Sequence, residues 1–133
     1  TKGDQMLQMA EWIYDNIEYA PGFSGSGSTA TDTFISHRGV CRDFAHLLIA
    51  FARAADVPAR MVSAYGLGID PPDFHAVVEV YLDGRWHLVD ATRLAPEENL
   101  VRIAVGRDAT DISFMTIFGT AELISQSVKV ELA

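Results

Sequence analysis

The apolar positions of this chain change period partway along it. Over residues 4–19, "DQMLQMAEWIYDNIEY", Met6, Met9, Ala10, Ile13 and Ile17 recur at three- and four-residue steps. That is the spacing of one helix face, and Asp4 is placed to cap its start. "PGFSGSGS" at 21–28 is a glycine- and serine-rich loop. "TATDTFIS" reads as a short helix, with Thr29 and Asp32 at capping-box spacing. The strongest helical pattern is "CRDFAHLLIAFARAA" at 41–55. On the face carrying Cys41, steps of three or four reach Ala45, Leu48, Ala52 and Ala55, all apolar, so that face turns to the core. Asp56 and Pro58 end it. From residue 59 the period falls to two. "ARMVSAYGLGI" reads as a strand running into a glycine loop, and "PPDFHAVVEVYLDGRWHLVDATRL" as two strands joined at Asp83-Gly84, the favoured dipeptide of a type I′ turn. Further strands are expected at about 100–105 and, from the alternation in "ISQSVKVEL", at 124–132. Helices come first and strands second, which predicts an α+β fold in one domain spanning 1–133.

The hairpin carries more information than its existence. With Asp83 and Gly84 as the turn, Leu82 faces Arg85, Tyr81 faces Trp86, Val77 faces Asp90 and His75 faces Thr92. Side chains alternate between faces, so His75, Val77, Asp90 and Thr92 share one face. His75 and Asp90 are then diagonal neighbours, about 7–8 Å apart at the backbone and within reach of each other. A slip of one residue in either strand would have separated them. Asp90 could also cap a turn at "DAT".

Composition narrows the function classes. Hydrophobic residues make up 49% of the 133 positions and charged residues 21%, the balance of a folded domain. The net charge is −8 and the ten basic residues are scattered, which argues against a nucleic-acid partner. No apolar run approaches the ~18 residues of a membrane span. Cys41 is the single cysteine, so the chain has no internal disulfide and no cysteine-based zinc site. One thiol fits a reducing compartment, which favours the cytoplasm. The chain begins with Thr1, and reads as a piece of a longer protein.

Cys41 is either a small buried hydrophobe or a nucleophile. At a helix start behind Gly39 it would feel the positive end of the helix dipole, and its backbone N–H, unpaired there, could face an oxyanion. An imidazolium nearby would lower the thiol pKa, and a carboxylate would orient the imidazole. Cys41, His75 and Asp90 are therefore the candidate nucleophile, base and orienter. Asp43 is expected to accept backbone N–H groups in the first helical turn. His46 lies about 140° around the helix from Cys41 and reads as a packing or hydrogen-bonding residue. His37 and His87 read as surface or sheet residues, and no metal or cofactor is expected. Arg107 is expected to pin the "GRDATD" turn through a carboxylate.

These residues resemble the transglutaminase-like superfamily, a branch of the papain-like cysteine enzymes. The likeness runs through "GVCRDFAHLLIAFARAADVPARMVSAY", "PPDFHAVVEVYLDGRWHLVDATRLAP" and "VGRDATD", with Cys, His and Asp in family order. "GRDATD" points to bacterial transglutaminase-like proteins described as presumptive cysteine proteases. The resemblance implies a central helix with Cys41 at its N-terminus, packed on an antiparallel sheet that supplies His75 and Asp90. It implies a thiol-dependent acyl-transfer enzyme acting on a peptide or protein substrate, and an N-terminal β-rich domain in the longer chain. Hydrolysis of peptide or isopeptide bonds is the first expectation. Glutamine crosslinking or deamidation is the alternative, and a non-catalytic binding module on the same fold is a further one. Tyr19, read as closing the first helix, resembles the aromatic oxyanion donor that some relatives place upstream of the cysteine. A core tyrosine stapling helix to loop is the other reading. "HAV" stands where many members have "HAW", so Val77 removes an aromatic beside the site. The oligomeric state is left open.

Overall fold

The structure is a computed structural model that describes residues 1–133. Three helices precede a four-stranded sheet: α1 (Lys2–Asn16), α2 (Ala30–Ser36) and α3 (Cys41–Ala54), then β3 (Ala59–Gly66), β4 (Phe74–Leu82), β5 (Arg85–Val89) and β6 (Leu100–Gly106). Two short strands, β1 (Glu18–Tyr19) and β2 (Arg38–Gly39), pair in parallel between the helices. The sheet order is β5-β4-β3-β6 and every neighbouring pair is antiparallel. This is the expected α+β architecture, with Cys41 opening α3.

Helix α1 begins earlier than Asp4. Thr1 is the cap, and Asp4 sits three residues in, its carboxylate returning to the Thr1 backbone in a capping box. The helix also ends earlier than expected, at Asn16. Glu18 donates its N–H to His37 O and Ala20 to Gly39 O, so Tyr19 belongs to strand β1 and not to the helix. Residues 29–36 behave as read, with Thr29 and Asp32 closing a capping box on α2. Helix α3 has no side-chain cap at Val40. Instead Asp43, two residues after Cys41, accepts the Val40 N–H at 2.9 Å.

The core is built where the helical and two-residue periods meet. Ile13 and Met6 of α1 pack with Leu47, Leu48 and Ala52 of α3, and these rest on Met61 of β3 and Ala76, Val78 and Val80 of β4. Each large aliphatic chain so buried contributes about 1.5–3 kcal/mol. The Asp83-Gly84 turn has φ of 51° and 81°, both left-handed, as a type I′ turn demands. On the alternate positions of β4, Glu79 is fully buried and ion-paired to Arg60 of the adjacent β3 and to Arg102 of β6, one strand further on.

One strand expectation is overturned. Residues 124–132 form no strand, and Ile124 and Leu132 stay 93% and 83% exposed. Alternation defines the face a strand would bury, but a strand also needs a neighbour's ladder hydrogen bonds, and this segment has none. The "GRDATD" turn is closed as anticipated, by an Arg107–Asp111 fork at 2.9 and 3.0 Å.

Candidate active site

A cleft of about 1230 Å³ opens at the head of α3. Cys41 stands on its floor, half-buried, packed against the core yet lining the cleft. Its position is thus neither that of a fully buried core residue nor that of a surface one. As the first residue of the helix, Cys41 has a backbone N–H with no carbonyl inside the helix to receive it.

His75 enters from the start of β4 and is 1% exposed. Its Nε2 lies 2.7 Å from Asp90 Oδ2. Cys41 lines the same cleft, near enough to act on the charge of the ring. With Nε2 held by the carboxylate, Nδ1 is the nitrogen left for the thiol. Burial pushes the imidazolium pKa down, but the hydrogen bonds to Asp90 and Cys41 and their charges outweigh it, and the ring is raised to about 9.

Asp90 reaches His75 by a route the register alone did not give. The β4–β5 ladder ends at Val78↔Val89, so the Val77–Asp90 and His75–Thr92 pairs do not form. Asp90 instead opens a tight turn in which its Oδ1 accepts the Thr92 N–H at 3.0 Å and the Thr92 hydroxyl at 2.7 Å. One carboxylate oxygen caps the turn and the other meets His75. Thr92 fixes the carboxylate and touches Nε2 of His75 at 3.5 Å. Sequence reasoning placed Thr92 on the right face without giving it a task, though the Asp-x-Thr spacing is the signal of such a turn.

Tyr19 lies across from Cys41. Its ring packs on Phe44 at 5.7 Å between centroids, and its hydroxyl is close to both the backbone N–H and the thiol of Cys41. Burial first, and then the charge at Cys41, raise the phenol to about 12, so it stays a hydrogen-bond donor at working pH. Asp73 lies near enough to add to that effect. Its own carboxylate caps the Phe74 N–H at 2.7 Å.

The remaining histidines are elsewhere occupied. His46 Nε2 accepts the Ala109 N–H at 3.2 Å, and burial lowers its pKa. His37 terminates α2 in a left-handed conformation with Nδ1 3.0 Å from Asn16 O. His87 Nε2 lies 3.1 Å from Leu82 O. One wall of the cleft is aromatic and apolar. Phe74 stacks on Phe114 at 4.3 Å and lies 5.7 Å from Tyr65. The opposite rim is the glycine- and serine-rich loop, through Ser26, Gly27 and Ser28.

A family model described as the transglutaminase-like superfamily matches residues 1–91. Among solved structures, a presumptive cysteine protease from Cytophaga hutchinsonii is 48% identical with a TM-score of 0.87, covering 89% of this chain and 41% of that one. Calcium-bound LapG of Legionella pneumophila shares the fold, with a TM-score of 0.62 at 17% identity over 80% of this chain and 65% of that one. An uncharacterized protein of Mycobacterium leprae, ML0607, is 31% identical over 117 residues, 81% of this chain and 42% of that protein. The chain thus spans about two-fifths of the length of the Cytophaga and Mycobacterium proteins.

Proposed function

This chain belongs to the transglutaminase-like superfamily, and on that premise we propose that it is a thiol-dependent acyl-transfer enzyme that hydrolyses peptide or isopeptide bonds. The observation that carries the reading is one arrangement. The single cysteine heads a helix and lines the same cleft as a buried histidine whose Nε2 is held by a carboxylate at 2.7 Å.

In this reading His75, its ring held by Asp90, takes the Cys41 proton through Nδ1. The sulfur attacks the carbonyl carbon, and the C=O electron pair moves onto oxygen. In this reading the Cys41 N–H and the Tyr19 hydroxyl beside it are the donors that receive that charge. The C–N bond then breaks, the His75 proton leaves with the amine, and a thioester remains on Cys41. Water attacks the thioester and returns its proton through His75, releasing the acid and the free thiol. Asp90 holds the ring at one tilt throughout, and Thr92 holds Asp90. An open cleft with an aromatic wall and a flexible-sequence rim suits an extended polypeptide rather than a small enclosed metabolite.

The test is a screen of fluorogenic peptide and ester donors, with and without a primary amine. Turnover lost in Cys41→Ala and in His75→Ala supports the assignment. Turnover retained by Cys41→Ala refutes it. Incorporation of the amine in preference to water would replace hydrolysis with transamidation.

A further inference from the structure

Asp43 is a fully buried carboxylate two residues from Cys41 that the chemistry above does not use. One of its oxygens, Oδ2, gathers three groups: the Ser24 hydroxyl, the Val40 N–H at 2.9 Å, and the Arg42 guanidinium at 3.5 Å. Arg42 closes the set by donating to Ser24 Oγ at 3.1 Å. The other oxygen, Oδ1, is buried and has no partner. A charge held this way is costly, and a neutral Asn or Ser would cap the helix turn more cheaply.

The three groups belong to the segments that frame the nucleophile. Ser24 lies in the loop that leaves Tyr19. Val40 precedes Cys41 and continues from Gly39, which is paired in parallel with Tyr19. Gly39 lies so tightly under this carboxylate that an added Cβ would come within 2.5 Å of Asp43 Cβ and 2.7 Å of Oδ2. The loop leaving Tyr19, the residue joining β2 to Cys41, and the first turn of α3 are therefore fastened at one atom. Resting on the acyl-transfer reading, we propose that Asp43 is a positioning residue. It sets the Cys41 N–H and the Tyr19 hydroxyl at the spacing an oxyanion requires, while leaving the reactivity of the sulfur to His75.

Two reactions of the single thiol separate these tasks. Alkylation by iodoacetamide displaces iodide at carbon and forms no oxyanion. Acylation by p-nitrophenyl acetate passes through one. In Asp43→Asn, acylation should fall about tenfold or more, while alkylation and its pH profile stay within about twofold of wild type. Ser24→Ala, which cuts one tether and leaves the helix intact, should show the same split at smaller size. The Asp43→Asn/Tyr19→Phe double variant should be little worse than the poorer single variant, because both changes act on the same donors. Acylation and alkylation falling together, or acylation unchanged in both single variants, would overturn the proposal. A wild-type thiol that is alkylated no faster than in His75→Ala and is not acylated would instead overturn the underlying reading, and this one with it.

Discussion

Replacing Asp90 with Asn probes the His75–Asp90 pair on which the proposed chemistry rests. The ring of His75 would keep its burial and its neighbour at Nε2, but would lose the negative charge that holds its proton. Burial lowers the imidazolium pKa, so the value of about 9 is reached only because Asp90 and Cys41 more than reverse that effect. Moving a histidine from 6.5 to about 9 corresponds to roughly 3 kcal/mol of preference for the charged form. Asp90→Asn should remove most of this and bring the midpoint to about 6.5 or below. The assay is an NMR titration of the imidazole Cε1–H signals, with His75 assigned by its loss in His75→Gln. A second readout follows from linkage. The folded-state pKa is raised, so the stabilisation is fully present below about 6.5 and is lost as pH rises through about 9. Denaturant melts should therefore show wild type exceeding Asp90→Asn by more at pH 6 than at pH 9.5. A midpoint still above 8 in the variant, or a stability gap that widens as pH rises, would refute this account.

Other consequences are open to direct measurement. Leu48 is fully buried among α1, α3 and the sheet, so Leu48→Ala should cost about 2–5 kcal/mol in a urea melt. Arg60→Ala with Arg102→Ala would strand Glu79 as an unpaired buried charge and should cost about 3–5 kcal/mol. Glu79→Leu should cost less than half of that, because both guanidiniums reach water. Gly39→Ala places a Cβ against Asp43 and should cost about 1–3 kcal/mol. If the proposal for Asp43 holds, its loss in acylation will exceed its loss in stability.

Much of this arrangement was legible in the chain because it is local. The period of 41–55 gave α3 and the face Cys41 would share, and the Asp83-Gly84 turn set the register of β4 and β5. His75 and Asp90 are close because fifteen residues with one tight turn between them allow little else. What was not legible depends on distant partners. Nothing near Tyr19 announces that Gly39 will pair with it and end the helix three residues early. The Asp43–Ser24 contact spans nineteen residues and joins two segments that separately read as a helix turn and a loop. The tail shows the converse, since a correct alternation at 124–132 met no partner strand.

The parallel pairing of Tyr19 with Gly39 has a consequence for how such a protein can change. Tyr19 is tied to Gly39 in the strand leading to Cys41, and Ser24 to Asp43 in α3, so the loop is already fastened at its near end when it reaches residue 25. Thr29 then starts α2 with its own cap. Residues 25–28, of which Ser26, Gly27 and Ser28 border the cleft, lie between these two fixed points. Insertions there could redraw what the cleft admits without moving an atom of the reacting set, leaving selectivity and reactivity free to evolve on separate schedules.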